Sequence, residues 1–345
     1  MIAAGGTAGH VMPSLAVARA LSARGVQVSF AGSPDRIEAR LVPEAGYEFD
    51  AFRISGMPRR PGVAQLRAVL LAGQAPRVCA RILSARKPDV VFGGGGYVAG
   101  PMVYAAWRKR IPAALSEADA HLGLANQLAS RFARRVFLAY PVRSGPKFRL
   151  VGRPVLRAAP VPVAEARARF GLPADGSVLL VFGGSQGAAA LNEIALEGFG
   201  EEGPAVLHLC GERYFPALEG RVSRPDYKLL PWTDDLDAAL DACNLALARA
   251  GGSVWEVAAS AKPAVLVPSP NVTNDHQTKN ARYFEEAGGV VVVPESEISR
   301  VPAVVRELLA DGARLSVMGE AMRAAAKPEA ADQIAEELIQ LVGRS

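Results

Sequence analysis

The sequence predicts an α/β protein with two Rossmann-like domains, each built on a parallel sheet, that face a central cleft. The main observation is a repeated signal: an apolar strand, a glycine-rich turn and a helix start occur at residues 2–10 and again at 178–190. Glycines let the backbone approach an anion closely, and a helix start offers free N–H groups. The 345 residues suit two domains, and 50% hydrophobic with only 6% aromatic residues indicates an aliphatic core.

Both halves are predicted to contain successive βα units. In the first half, we expect strands at 26–30, 89–92 and 113–116 and helices at 36–44 and 62–86, the second broken or kinked at Pro76. In the second half, we expect strands at 178–182, 205–209, 245–248 and 264–267, and a final amphipathic helix at 328–342. Glycine and proline at 152–155 mark a linker, which predicts one domain at 1–153, joined by about 329–345, and another at 154–328.

Glycines and acidic residues follow two predicted strands of the first half. The four glycines at 93–96 place the backbone close to something, which is either another loop or a ligand. Glu117 and Asp119 follow the strand at 113–116, and the carboxyl ends of parallel strands meet at the edge where ligands bind. We therefore expect both to be site residues; for Asp119 alone, capping of the next helix is an equal alternative.

The net charge of +5 conceals a difference between the two halves. Residues 1–155 contain 22 Lys and Arg against 8 Asp and Glu, whereas residues 156–345 contain 17 against 26. This asymmetry indicates a polyanionic partner for the first half. We expect an anionic inner-membrane surface and no nucleic acid, because the sequence has no basic motif interleaved with aromatic residues.

A predicted membrane patch combines apolar side chains of the 62–86 helix with a tryptophan among cations. Its residues are Leu66, Val69, Leu70, Trp107, Arg108 and Arg110. An apolar surface rimmed by arginine suits an interfacial helix, and tryptophan beside cations suits lipid headgroups. Packing of the same helix on the sheet is the alternative interpretation.

The sequence shows no pattern typical of a metal site or a disulfide. Cys79, Cys210 and Cys243 lie in apolar runs without CxxC spacing, so we expect reduced core residues. The four histidines are far apart, and no apolar run approaches the roughly 20 residues that span a bilayer. We expect neither a metal nor a cofactor.

Five segments resemble, in the same order, the motifs of the MurG family, a family of bacterial N-acetylglucosaminyltransferases (glycosyltransferase family 28). They are residues 5–10, 93–101, 183–187, 249–256 and 271–281, and together they extend over essentially the whole chain. The resemblance implies a GT-B fold whose C-terminal helix crosses back onto the first domain. It also implies inverting transfer of N-acetylglucosamine from UDP-N-acetylglucosamine to a lipid-linked muramoyl-pentapeptide (lipid I to lipid II, in peptidoglycan synthesis) at the cytoplasmic face of the membrane.

The resemblance implies roles for individual residues. His10 is the expected base and Glu117 the alternative; capping of its helix, or binding of the acceptor diphosphate, is the other interpretation of His10. The residues implied to bind the UDP-sugar are Thr7, Ala8, Gly9, Asp119, Arg157, Ser185, Gln186, Thr233, Gly252, Ser253, Glu256 and Gln277. Those implied to bind the acceptor are Gly6, Gly9, His10, Gly95, Gly96 and Tyr97.

Three positions depart from the family pattern, and three other functions stay open. Asp119 stands where asparagine is usual, the linker arginine is shifted to Arg157, and the 249–256 segment is one residue shorter. The other functions are a UDP-N-acetylglucosamine 2-epimerase, a diacylglycerol glycosyltransferase and a non-catalytic nucleotide-sugar-binding protein. An epimerase would turn over the UDP-sugar without an acceptor and would not need the basic first half.

Overall fold

A computed structural model describes residues 1–54, 62–184 and 186–343 of the chain. The chain forms two compact units, one comprising Met1–Leu156 with Pro328–Ser345 and the other Arg157–Lys327. Each unit is a parallel sheet flanked by helices, as the repeated strand–glycine–helix signal predicts.

The first unit contains a seven-stranded parallel sheet in the order β3-β2-β1-β4-β5-β6-β7. The strands are β1 (Ile2–Ala4), β2 (Ser29–Gly32), β3 (Glu48–Ala51), β4 (Val91–Gly95), β5 (Ala113–Glu117), β6 (Arg135–Leu138) and β7 (Phe148–Leu150). The helices between them are α1 (Ala8–Ser22), α2 (Glu38–Glu44), α3 (Val63–Arg86), α4 (Ala99–Arg108) and α5 (Leu124–Ala129). The strand order reverses between β1 and β4, and such a reversal opens a crevice at the carboxyl ends of the two strands.

The second unit repeats this arrangement with six parallel strands in the order β10-β9-β8-β11-β12-β13. The strands are β8 (Val178–Phe182), β9 (Ala205–Leu209), β10 (Tyr227–Leu230), β11 (Leu245–Ala248), β12 (Ala264–Leu266) and β13 (Val290–Val292). The helices are α6 (Val163–Arg169), α7 (Ala189–Phe199), α8 (Phe215–Leu218), α9 (Leu236–Ala242), α10 (Val254–Ala259), α11 (His276–Glu286), α12 (Val301–Ala310) and α13 (Gly312–Ala325). Here the order reverses between β8 and β11, directly beside the second glycine turn.

The last helix, α14 (Ala330–Val342), belongs to the first unit and packs against α1. Its apolar face is buried in the same cluster as the α1 side chains, through Ile334, Ala335, Leu338 and Leu341. Ion pairs hold both flanks of the helix, because Asp332 contacts Arg24 at 2.8 Å and Glu337 contacts Arg135 at 2.8 Å. The expected return of the C-terminal helix to the first domain is confirmed.

Several expected elements differ from those observed, among them β2, which is Ser29–Gly32 where 26–30 was expected. Helix α3 is not broken at Pro76 but runs through it as one element, and Ala75, Cys79 and Leu83 along it are buried in the core that it shares with α4. Strand β4 extends into the glycines, because Gly93 pairs with both neighbouring strands of the ladder. A Cβ at Gly93 would lie 2.6 Å from the Leu115 side chain and 3.1 Å from those of Ala99 and Val103, so a side chain here would require the neighbouring core to shift.

The three cysteines are free thiols in the core, as expected. Burial raises the pKa of the Cys79 thiol to about 12 and that of Cys243 to about 11, so neither forms a thiolate near neutral pH. In the described part of the chain, no helix combines the length and apolar character that a membrane crossing requires.

Candidate active site

The first glycine loop connects β1 to α1 and is held by a buried carboxylate. The wholly buried Glu38 accepts hydrogen bonds from the backbone N–H groups of Gly6 and Ser33, both at 3.0 Å. A Cβ at Gly5 would lie 2.1 Å from a Glu38 oxygen, so the glycine makes room for this carboxylate. Thr7 and Gly9 are exposed at the start of α1 and Ala8 is half-buried, whereas the Gly6 N–H is already used.

The glycines at the end of β4 pack against this loop, which decides between the two alternatives for them. A Cβ at Gly95 would lie 2.5 Å from Nδ1 of His10, and one at Gly96 would lie 2.1 Å from the Gly5 carbonyl oxygen. Both glycines have positive φ, at 119° and 74°, which a side chain would strain. The Tyr97 ring lies over Gly6, with its nearest ring atom 3.1 Å from a Cβ built there. These glycines therefore place another loop, with His10, next to β4.

His10 lies in the first turn of α1 and is neutral near physiological pH. Its pKa is lowered to about 4, mainly by burial and also by the Arg153 guanidinium, against an opposing effect of Asp119. Its Nδ1 atom is buried without a hydrogen-bond partner among the described residues. A neutral imidazole is the form that can accept a proton from a hydroxyl.

Arg153 connects the first glycine loop to the loop after β5. Its Nη2 donates to the carbonyl oxygen of Gly9 at 2.5 Å, and its Nη1 donates to that of Ala118 at 3.4 Å. The side chain is buried. Arg153 was not among the residues predicted from the sequence, although its place shortly after β7 puts a basic residue at the carboxyl edge of the sheet.

Glu117, the alternative base, is buried and accepts three hydrogen bonds. Its two oxygens accept from the backbone N–H groups of Asp119 at 3.3 Å and Gly123 at 3.1 Å, and from Nδ2 of Asn126 at 3.0 Å. Burial raises the pKa of this carboxyl, and the three hydrogen bonds oppose that shift. Its hydrogen bonds shape the loop that leads into α5, whereas Nδ1 of His10 has no partner among the described residues. Asn126 was not identified from the sequence.

The second glycine turn, between β8 and α7, faces solvent, whereas the Glu38 carboxylate occupies the space beside the first. Gly184 and Gln186 are exposed, and the first turn of α7 contains no acidic residue. Gly187 has φ of 69°, and a Cβ there would lie 2.1 Å from the Cys210 carbonyl oxygen. Ser185, implied to contact the UDP-sugar, lies outside the described residues. The exposed start of α7 is suited to a diphosphate.

The other implied donor residues follow the carboxyl ends of neighbouring strands in the second unit. Gly252 and Ser253 directly precede α10 after β11, and Glu256 lies in the first turn of that helix; all three are half-buried. Gln277, at the start of α11, accepts the Ser269 backbone N–H at 2.8 Å through Oε1.

Two side chains shape the loops around these residues. Thr233 precedes α9, and its hydroxyl oxygen accepts the Asp235 backbone N–H at 3.1 Å. The wholly buried Asn280, which sequence analysis did not single out, donates to the carbonyl oxygen of Ala250 at 3.1 Å. That bond ties α11 to the loop that carries Gly252 and Ser253.

The structure does not bring Arg157 to this edge of the sheet. Its guanidinium donates to Oδ1 of Asp241 at 2.5 Å and to the carbonyl oxygen of Ala259 at 2.7 Å. Both partners lie at the C-terminal ends of helices, and such ends lie at the amino edge of a parallel sheet because helices run back against the strands. The shifted arginine is thus engaged in a largely buried ion pair at the edge opposite to Gln186, Ser253 and Glu256.

The described part of the predicted membrane patch is exposed. Leu70 is 57% and Trp107 50% exposed, and Arg108 and Arg110 are also exposed. The Trp107 ring packs on Phe132, with centroids 4.9 Å apart. The side chains of Leu66 and Val69 lie outside the described residues.

Within the part of the chain that the structure describes, no group of three or more His, Cys, Asp or Glu side chains is arranged to hold a metal ion. Two doubly wound parallel sheets, each with a glycine-rich loop after its first strand, are the architecture of the GT-B class of proteins. Profile matches then specify the family: residues 1–138 match the glycosyltransferase family 28 N-terminal domain and residues 178–334 its C-terminal domain. The chain belongs to glycosyltransferase family 28.

Individual relatives agree with this assignment. A protein of Salinibacter ruber is 39% identical over 358 residues, covering 100% of this chain and 97% of the relative; it is named UDP-N-acetylglucosamine–N-acetylmuramyl-(pentapeptide) pyrophosphoryl-undecaprenol N-acetylglucosamine transferase. The crystal structure of Acinetobacter baumannii MurG superposes with a TM-score of 0.77 at 30% identity, covering 99% of both chains. A UDP-N-acetylglucosamine 2-epimerase structure superposes with a TM-score of 0.67 at 15% identity over 100% of this chain and 96% of the other, which shows a shared fold alone.

Proposed function

We propose that this chain transfers N-acetylglucosamine from UDP-N-acetylglucosamine to the lipid-linked muramoyl-pentapeptide, with inversion at the sugar carbon. The observation that carries this proposal is the 39% identity, across the whole chain, to a relative named for that reaction. The neutral His10 on one unit and the open start of α7 on the other supply the two functions that such a transfer needs.

In the proposed reaction, His10 removes the proton from the acceptor 4-hydroxyl. The oxygen attacks the anomeric carbon of the sugar from the face opposite to the diphosphate, and the carbon–oxygen bond to UDP breaks. UDP leaves with the electron pair, and its negative charge is stabilised by the N–H groups and the positive end of the dipole at the start of α7. The exposed Gly9 lies beside His10, where the acceptor diphosphate would bind.

Donor recognition is assigned to the carboxyl edge of the second sheet. Glu256 would accept hydrogen bonds from the two ribose hydroxyls, since a carboxylate suits two donors. Gln277 already uses its Oε1 on the Ser269 N–H, so its Nε2 is the group oriented by that bond for a sugar oxygen. Gln186, exposed in the glycine turn, would contact the diphosphate.

The direct test is transfer of labelled N-acetylglucosamine to a panel of acceptors: lipid-linked muramoyl-pentapeptide, diacylglycerol, and no acceptor. We expect product only with the muramoyl lipid. Sugar transfer to diacylglycerol, epimerised UDP-sugar without an acceptor, or binding without any turnover would each contradict the proposal and identify one of the three other functions.

We also propose that the first unit binds the anionic surface of the inner membrane. The support is an apolar surface broader than the sequence indicated. Leu124 and Leu128, on α5, are 70% and 51% exposed. Phe132, shortly after α5, packs on the Trp107 ring, which links these leucines to the predicted patch. Each basic residue near such a surface contributes about 1 kcal/mol, which salt screens.

A triple variant, Trp107→Ala with Arg108→Gln and Arg110→Gln, tests this surface on vesicles containing anionic lipid. We expect release from the vesicles and slower transfer to a long-chain acceptor, with nearly unchanged transfer to a short-chain, water-soluble one. The matched control removes exposed residues of similar kind from α13: Val317→Ala with Arg314→Gln and Arg323→Gln. Equal loss with both acceptors would assign the patch to folding or to the active site.

A further inference from the structure

Three polar side chains form a hydrogen-bonded chain inside the core of the second unit, beneath the glycine turn. Nδ1 of His208 lies 2.8 Å from the Tyr227 hydroxyl, and Nε2 of His208 lies 3.0 Å from Oδ1 of Asn192. Nδ2 of Asn192 donates to the carbonyl oxygen of Cys210 at 3.0 Å. His208 and Asn192 are almost completely inaccessible to solvent, and Tyr227 is buried. Polar groups at such depth cost stability unless each has a partner.

Only one direction of hydrogen-bond donation, from Tyr227 through His208 to Asn192, gives every one of these side chains a suitable partner. Because the amide nitrogen of Asn192 donates to Cys210, its Oδ1 can only accept, so Nε2 of His208 must carry the proton. Nδ1 is then an acceptor, and the Tyr227 hydroxyl donates to it. This arrangement requires a neutral imidazole, and burial lowers the pKa of His208 to about 3.

The chain ends at the backbone that supports the glycine turn. The Cys210 carbonyl oxygen that receives its last hydrogen bond is the atom 2.1 Å from a Cβ built at Gly187. The next residue, Gly211, has φ of 94°, and a Cβ there would lie 2.7 Å from the Gly187 Cα. The turn and the loop after β9 are therefore in direct backbone contact, and the position of one sets the position of the other.

We propose that Tyr227, His208 and Asn192 are positioning residues that fix the glycine turn in the shape that binds the donor diphosphate. The proposal rests on the proposed function, since it takes the start of α7 as the diphosphate site. None of the three side chains would touch the ligand. They would act by holding the Cys210 carbonyl against Gly187, because a polar chain of fixed direction permits one geometry where apolar packing permits several.

The test compares the affinities of variants for UDP, which carries the diphosphate, and for uridine, which does not. His208→Leu should raise the Kd for UDP about tenfold, the change that corresponds to the loss of about one net hydrogen bond, and leave that for uridine unchanged. His208→Gln keeps one donor and one acceptor and should recover most of the UDP affinity. The control Asn244→Ala removes two hydrogen bonds in the same unit, to Arg167 and to the Val178 N–H, and should not alter the ratio of the two affinities.

Tyr227→Phe, which removes a single hydroxyl, serves if His208→Leu does not fold; it should weaken UDP binding about threefold. Unchanged UDP affinity in the folded variants, or an equal loss of UDP and uridine affinity, would overturn the positioning role. So would a His208→Gln variant as weak as His208→Leu. If the unaltered protein binds UDP no better than uridine, the diphosphate site itself is wrong, and it is the proposed function that fails.

Discussion

The two glycine loops share one sequence signature but differ in the groups that lie against their glycines. In the loop at residues 5–10, the Glu38 carboxylate accepts the Gly6 N–H and fills the space beside Gly5. In the turn at residues 183–187, Gly184 and Gln186 face solvent, and the atom that fills the space beside Gly187 is the Cys210 carbonyl oxygen rather than a carboxylate. Glycine spacing therefore specifies that something approaches the backbone closely, whereas the neighbouring element decides whether that space is occupied by protein or left for a ligand.

In the proposed reaction, this difference assigns the base to the first loop and binding of the diphosphate to the second. A loop occupied by a buried carboxylate is poorly suited to hold a second anion at the same N–H group, but it places His10 rigidly against β4. An open helix start is suited to an anion and positions no base. We therefore expect substitutions at the first loop to affect turnover and those in the second unit to affect donor binding.

The largest expected effect is that of His10→Ala. Loss of a general base should lower kcat by about 10²- to 10⁴-fold while leaving UDP binding nearly intact. Steady-state kinetics and calorimetry with UDP measure the two quantities. Near-normal turnover would transfer the role to Glu117, in spite of its three donors.

The counterpart in the second unit is Glu256→Ala. It should weaken binding of UDP and of UDP-sugar alike, by about 1.5–3 kcal/mol or roughly 10- to 150-fold in Kd, because the proposed contact is to the ribose. Titration calorimetry with both ligands measures this loss. An unchanged Kd for UDP would refute the ribose assignment.

Glu38→Gln tests whether the first loop depends on its carboxylate. The amide keeps one acceptor and turns a donor toward a backbone N–H, so the free energy of unfolding of the first unit should fall by about 1–3 kcal/mol. Urea denaturation measures it, and the Kd for UDP should not change. Glu44→Gln, on the same helix, removes an exposed pair with Arg40 and should cost about 0.5 kcal/mol or less. Equal losses in the two variants would show that Glu38 does not organise the loop.

The smallest expected effect is a displacement of the pH profile by Arg153→Gln. His10 must be neutral to act as a base, so kcat/KM should fall as pH decreases through its pKa, lowered to about 4. The Arg153 charge contributes to that lowering, so its removal should raise the pKa and move the acid limb to higher pH. Rate measurements from pH 4 to 8 would show it. A limb that stays in place, or moves to lower pH, would contradict the proximity of the two groups.

Much of the fold followed from local pattern. The strands at 178–182, 205–209 and 245–248 are observed at the expected residues, because a short run of apolar residues bounded by turn signals has few other structures available to it. The strand expected at 26–30 is instead Ser29–Gly32, and α3 continues through Pro76. In both cases, pairing and packing with distant residues outweighed the local signal.

By itself, the sequence determined two parallel α/β units, the family and the positions of the glycine loops after the strands, because these depend on periodicity and on residue types at fixed spacing. Only the tertiary structure decided what each loop contains. Glu38 lies about thirty residues from the glycines that it supports, and Arg157 forms its ion pair with Asp241, more than eighty residues away. Side chains so distant in the chain leave no spacing to recognise, since their contact depends on how the strands are ordered in the sheet and on the direction of each helix.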